Sequence, residues 1–226
     1  MKWISRLRRR RATAASAASG ALRQYYRAPV PADGTPVQDL AVLALDVECT
    51  SLDLKRAEIL SVGHVPIDGL RIRLGEARHT VVRTEAEAAA NVTVHGLTDD
   101  VIAAGVPLEA AVEQVLRSCA GRVLLAHYAR IETTLLSRAC VDLFGAPWHP
   151  PVIDTMALER MLLGRVPRHP DQDGLDLASA RDRRGLPRYG MHHALTDAIA
   201  CAELFLAQIS QWPDGKGPTL GQLRKR

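Results

Sequence analysis

The stretch from Leu40 to Leu52 constrains this chain more than any other. Leu40 to Leu45 is apolar and runs into two acids one residue apart, Asp46 and Glu48. A short apolar run of this kind reads as a buried strand. Side chains two apart on a strand share a face, so both carboxylates point into the same space. Like charges held together at a strand end are costly unless a cation neutralises them. The pair is therefore a candidate site for a hard divalent metal, since Mg²⁺ and Mn²⁺ take carboxylate oxygens and leave positions for water and phosphate. A lone Asp-x-Glu is more often a solvated strand end, so the weight falls on the rest of the chain.

With 226 residues and 47% hydrophobic content, the chain suits one domain with a full core. No apolar run approaches the ~20 residues needed to cross a membrane. Cys49, Cys119, Cys140 and Cys201 have neither C-x-x-C spacing nor a disulfide framework. A reducing cytoplasm is the expected setting, and zinc is not expected. Charge is unevenly placed. Lys2, Arg6, Arg8, Arg9, Arg10, Arg11, Arg23 and Arg27 precede the first acid, Asp33, leaving 21 basic against 25 acidic residues in the remainder. Such an arm is suited to tracking phosphates or lying on an anionic membrane. Its Ala- and Ser-rich part, Ala12 to Ala21, offers little to pack and favours a disordered leader. The Pro- and Gly-rich Ala28 to Pro36 reads as a linker. The expected organisation is a disordered basic arm and linker over 1–36, a domain over 37–212 and a loose tail over 213–226.

Within the domain, Glu58 to Ile67 and Arg71 to Arg83 alternate as two further strands joined at the Asp68-Gly69 hairpin signal. Three strands linked by short turns imply an antiparallel meander. Thr98 is placed to cap a helix opening at Asp99, and Leu108 to Cys119 has one apolar side. Arg122 to His127 and Val152 to Asp154 are short strands, each followed by a helix, the first carrying Glu132. That alternation favours parallel pairing. The expected fold is α/β, a five-stranded mixed sheet, strands 1–3 antiparallel and 4–5 parallel, flanked by helices. A helix is expected over Leu175 to Arg184, a mobile loop over Leu186 to Met191, and a last helix over about Ala194 to Ile209.

Taken together, Asp46 and Glu48, then Glu132, then Asp197, with His192 just before the last helix, supply what two-metal phosphodiester chemistry needs. Four motifs stand in order: Asp46-x-Glu48-x-Thr50, His95-Gly96-Leu97-Thr98, His127-x-x-x-Ile131-Glu132, and His192-x-Ala194-Leu195-x-Asp197. From Leu40 to Ile209 the sequence resembles the DEDDh family of 3′-to-5′ exonucleases, which includes proofreading epsilon subunits and ribonuclease T on a ribonuclease H-like fold. The resemblance implies two divalent ions, Mg²⁺ or Mn²⁺. Asp46, Glu48 and Asp197 would hold the first, Asp46 would bridge to the second, and Glu132 would support that one. His192 would be the general base, a role suited to a side chain that ordinarily titrates near pH 6.5. His95, Leu97, Leu52, Thr50, Tyr128 and Ile131 would contact the terminal nucleotide.

Some positions depart from the family pattern. Glu132 stands where the family has Asp, one methylene longer; Tyr128 and Ile131 replace asparagine and phenylalanine; Cys49 and Ser51 replace threonine and glycine. The changes at Tyr128, Ile131, Cys49 and Ser51 bear on the nucleotide pocket more than on the chemistry, and the longer arm of Glu132 is the one feature that favours a silent site. His193 reads as a surface residue and His127 as packing behind its strand. Arg181, Arg183, Arg184 and Arg188 are placed either to follow a phosphate backbone or to form a solvated helix face. The resulting expectation is a metal-dependent 3′-to-5′ exonuclease on single-stranded or frayed DNA or RNA ends, DNA favoured, releasing nucleoside 5′-monophosphates. A polymerase or repair partner is left open. The alternative is a silent nucleic-acid-binding or docking module on the same fold.

Overall fold

A computed structural model of the chain describes residues 2–84, 97–164, 174–190, 192–212, 215 and 217–224, with side chains from Arg6 onward. His95 lies outside the described residues, as does most of the Pro167 to Gly174 loop.

The apolar run forms β1 (Ala41–Cys49), and the next forms β2 (Ile59–Asp68). They pair antiparallel along their length, with Asp46 opposite Gly63. The hairpin after β2 turns on Gly69 and Leu70, both at positive φ (57° and 60°), one residue beyond the Asp68-Gly69 signal. Two left-handed residues are what a tight turn matching the strand twist requires.

The expected third strand is divided. β3 (Arg71–Ile72) pairs with the end of β2, a short helical turn spans Leu74–Glu76, and β4 (Arg78–Val81) pairs with Ser61 to His64. Between these ladders lies Pro66, whose nitrogen has no proton to donate, and whose carbonyl accepts from Arg73 N–H at 2.8 Å.

After α3 (Asp99–Ala103) and α4 (Leu108–Cys119), β5 (Val123–Ala126) joins β1 in parallel. Then α5 (Arg130–Phe144) leads to β6 (Val152–Asp154), parallel to β5. The sheet order is β3-β2-β1-β5-β6, with β4 also on β2. The expected mixed sheet with helices over both faces is present, its third strand broken in two. α6 (Thr155–Leu162), α7 (Leu177–Asp182), α8 (Ala194–Ser210) and α9 (Leu220–Leu223) complete the described elements.

Alternation along β1 divides the core. Leu43, Leu45 and Val47 face the cluster built with α4 and α5, and Val42 and Ala44 face the cluster built with α6, α7 and α8. Asp46 and Glu48 continue the second row, so they emerge on the α8 side.

Neither terminus is loose along its whole length. The basic arm forms α1 (Lys2–Ala17) and α2 (Gly20–Arg27), and Ala14, Ala18, Ala21, Leu22 and Tyr25 are buried against α4, α5 and Trp148. The expectation that the small residues of Ala12 to Ala21 offer little to pack and leave the arm disordered does not hold: here they let α1 and α2 approach the domain closely. Arg11, buried, donates to Tyr25 Oη at 2.9 Å and to the His149 carbonyl at 2.8 Å. At the other end, Leu220 and Leu223 are buried beside Val37. Val37 N–H donates to the Pro218 carbonyl at 2.9 Å, so part of the expected tail returns to the start of the domain.

Candidate active site

The carboxyl ends of β1 and β5 open into a cleft of about 650 Å³. It is lined by Asp46, Glu48, Thr50, Leu52, His127, Ile131, Glu132, His192 and Asp197, among others. Three elements deliver the acids. Asp46 and Glu48 come from β1, Glu132 from the first turn of α5, and Asp197 from the first turn of α8.

The approach of α8 depends on one residue. A Cβ on Gly63 would lie 2.1 Å from Leu195 N and 2.2 Å from the Ala194 carbonyl carbon. The bare glycine lets the start of α8 rest on β2, and so brings Asp197 to Asp46, the residue opposite Gly63. A glycine inside a strand pattern is the signal that identifies such a contact, and the sequence reading passed over it.

A second positioning group was also missed. Asp154, at the end of β6, accepts from Met156 N–H at 3.0 Å and so caps α6. The same carboxylate accepts from Tyr128 N–H and Ala129 N–H, each at 3.1 Å. It thereby fixes the turn that launches α5 and aims Glu132. Tyr128 takes φ 63° in that turn. An acid one residue before a helix start is a capping signal; that it also serves a neighbouring turn is a tertiary fact.

His192 is exposed and held at φ 65°, and its backbone N–H donates to Asp197 Oδ2 at 2.8 Å. Candidate ligand atoms of Glu48, His192 and Asp197 lie within 4.8 Å of one another. His193 does more than sit at the surface: its Nδ1 accepts from Thr196 N–H at the start of α8, and its ring stacks at 4.3 Å on His79. His127 lines the cleft rather than lying wholly behind its strand, and both its ring nitrogens are engaged, one 2.8 Å from Thr155 Oγ1 and the other 2.8 Å from the Leu175 carbonyl.

Electrostatics in the cleft run against four ionised carboxylates. Burial first, then Asp197 and Glu48, push Asp46 well above its usual range. Glu48 is pushed up to about 7 by burial and then by Asp197. Glu132 is raised by burial and by Asp46, and its Oε2 is buried with no hydrogen-bond partner among the described residues. Asp197 is raised by burial, against the lowering effect of the His192 N–H. A shared cation would offset this repulsion. The donor set, carboxylate oxygens with one imidazole in reach, fits Mg²⁺ or Mn²⁺.

The residues expected to contact a nucleotide are placed unequally. Leu52 is 82% exposed at the cleft rim. Thr50 and Ile131 line the wall, whereas Tyr128 is half-buried and is not among the lining residues. Leu97 is buried with Leu60 and Ile102 and does not line the cleft. Of the arginines before His192, Arg188 is solvated, whereas Arg181, Arg183 and Arg184 turn to acids of the neighbouring helices. Arg183 and Arg184 pair with the buried carboxylate of Glu159. Arg181, itself buried, pairs with Glu203 at 2.8 Å, and Arg188 with Asp182 at 2.6 Å. α7 is wedged against α6 and α8, and its cations meet the acids of those helices.

Acids thus converge from a strand end and two helix starts over a mixed sheet, the arrangement of a ribonuclease H-like fold. A family model described as Exonuclease (RNase_T) matches residues 43–205, and the chain belongs to that exonuclease family. A DNA polymerase III subunit epsilon-like protein of Rhodobacter capsulatus is 30% identical over 174 residues, 76% of this chain and 24% of that protein. The DNA polymerase III PolC-type protein of Thermotoga maritima is 27% identical over 175 residues, 77% of this chain and 12% of that one. The chain thus spans a quarter or less of these two relatives. Among solved structures, the nuclease domain of 3′hExo, a DEDDh family member bound to rAMP, matches with a TM-score of 0.64 at 15% identity. That match covers 83% of this chain and 98% of that one. A zinc-bound E. coli exonuclease I complex with single-stranded DNA also gives 0.64, at 13% identity, covering 81% of this chain and 42% of that one. These structural likenesses concern the fold.

Proposed function

We propose that this exonuclease works in the 3′-to-5′ direction on single-stranded or frayed ends and releases nucleoside 5′-monophosphates. The observation that carries this reading is the convergence of Asp46, Glu48, Glu132 and Asp197 on one cleft, all with raised carboxyl pKa values. Asp46, Glu48 and Asp197 would hold one divalent ion, with Asp46 and Glu132 serving a second. When bound, the ions supply positive charge to the phosphate under attack and to the departing oxygen.

The chain's own residues do the rest. His192, exposed at the mouth on a loop tied to Asp197, takes the proton of the attacking water. The water oxygen forms a bond to the terminal phosphorus, the bond to the 3′ oxygen of the preceding nucleotide breaks, and that oxygen takes a proton from solvent. A mononucleotide with a 5′ phosphate leaves, and the shortened strand keeps a 3′ hydroxyl. Leu52, projecting at the rim, is placed to pack on the terminal base, while Thr50 and Ile131 bound its pocket. Preference for DNA is supported by the DNA polymerase III names of the relatives, and by the same token association with a polymerase is part of this reading.

A 5′-labelled single strand incubated with Mg²⁺ should shorten one nucleotide at a time, and chromatography should recover 5′-monophosphates. Asp46→Asn and Asp197→Asn should each lower turnover by at least about 10³-fold with the fold retained. Turnover near wild type in either variant rejects the site. His192→Gln should lower turnover by about 10²-fold or more while the fold and the metal-induced rise in Tm are retained. Turnover near wild type in that variant removes His192 from the role. Paired ribose and deoxyribose strands of one sequence, digested together, decide the sugar preference.

A further inference from the structure

We propose that the outward face of α1 is a second nucleic-acid surface, holding the backbone of the strand whose end is trimmed in the cleft. The proposal rests on the reading that the substrate is a polynucleotide. α1 and α2 lie before residue 43, where the family match begins. They are an addition to the matched domain with their own charge character: eight basic residues and no acid before Asp33, against 21 basic and 25 acidic in the remainder.

The helix is built to present that charge from a fixed position. Leu7, Arg11, Ala14 and Ala18 fall at i, i+4, i+7 and i+11 and make the inward stripe. Arg11 anchors the stripe, its guanidinium 5.0 and 4.9 Å from the ring centres of Tyr25 and Tyr26. Helical spacing then turns Arg6 and Arg9 outward, with Arg8 and Arg10 on the flanks, and all four are exposed. Among the described residues none of the four has a carboxylate partner. α2 adds exposed Arg23 and Arg27.

The position is away from the chemistry. α2 covers the Phe144 end of α5, while Glu132 sits in the first turn of that helix. Fifteen residues of α5 put roughly 20 Å between the two ends. The catalytic end gathers carboxylates, and the body as a whole is acidic, so neither attracts a polyanion well. The arginine face supplies the missing attraction. Guanidinium groups with few aromatics nearby recognise phosphates rather than bases, so this surface is indifferent to sequence and sensitive to salt.

The test compares the full chain with its Arg6→Gln/Arg8→Gln/Arg9→Gln/Arg10→Gln variant. Anisotropy of a long labelled single strand in EDTA should show the variant binding at least about tenfold more weakly at low salt. Its plot of log affinity against log salt should be shallower by about 2 to 3. With Mg²⁺, KM for the long strand should rise while kcat and the hydrolysis of a trinucleotide stay the same. Equal strand affinity and equal salt slope would overturn the proposal. So would a loss confined to phosphatidylserine vesicles, which would make the face a membrane surface instead. If neither protein cuts the trinucleotide, the exonuclease reading fails while the strand-binding comparison still stands or falls alone. Should the fourfold variant melt lower than wild type, Arg6→Gln and Arg9→Gln, on the outermost face, are measured singly, each expected to make the salt slope shallower by about 0.7.

Discussion

Glu48 in its folded setting, pushed up to about 7 against an ordinary 4.5, ties protein stability to pH and to divalent ions. A carboxyl whose folded value exceeds its unfolded one binds more protons when folded. Its contribution to stability is therefore lost as pH rises, here between about 4.5 and 7. Asp46, Glu132 and Asp197 shift in the same direction. Metal-free protein should accordingly melt at lower temperature at pH 8 than at pH 5 on this account, and Mg²⁺ or Mn²⁺ should raise Tm more at the higher pH. A metal-induced rise in Tm that is the same at both pH values would mean that these carboxyl groups do not hold the ion. His64 works with the opposite sign. Burial pushes its imidazole down to about 4, so it contributes stability above 6.5 that is lost as pH falls toward 4. That acid limb should persist in saturating Mg²⁺, because His64 faces away from the cleft, opposite Leu45. His64→Gln should reduce it, and an acid limb unaltered by that change would assign the effect elsewhere.

At the level of elements, the site depends on two contacts that hold helix starts against the sheet. Gly63→Ala would press a methyl group into backbone atoms of Ala194 and Leu195, and backbone cannot yield as a side-chain tip can. We expect α8 to move, with a loss of about 1–3 kcal/mol or more in stability and a fall in kcat from displacement of Asp197. A variant with wild-type Tm and kcat would show that α8 does not need that approach. Asp154→Ala removes the α6 cap, at about 1 kcal/mol, and also frees the turn before α5. Its effect on turnover should exceed what the stability change explains, because Glu132 loses its aim; denaturant melts and single-turnover rates measured on one preparation separate the two.

Across the whole molecule, the N-terminal helices are part of the core. Leu22 is fully buried, and Leu22→Ala should cost about 2–5 kcal/mol, read from the urea midpoint. A disordered arm would show no change. Removing 1–27 should expose the apolar faces of α4 and α5 with Trp148, lowering Tm and promoting association at raised concentration. A truncated chain that stays monomeric with unchanged Tm would contradict this packing. No helix among the described residues is long and apolar enough to cross a membrane.

The sequence by itself determined the sheet and the acids. Apolar runs ending in charge, a Gly-containing turn and helical spacing are local patterns, and local backbone preference is enough to read β1, β2, β5 and β6 and to place Asp46, Glu48, Glu132 and Asp197 at their ends. It did not determine which partners distant groups would find. Arg181, Arg183 and Arg184 were read against phosphate or solvent, and only the packing of α7 between α6 and α8 brought them to Glu203 and Glu159. Alanines along α1 looked too small to hold a helix in place, yet smallness is what close packing of two helices uses. Such outcomes depend on the shape of a surface made by other elements, 24 positions away for Arg183 and Glu159 and 138 for Arg11 and His149, and no local pattern encodes that shape.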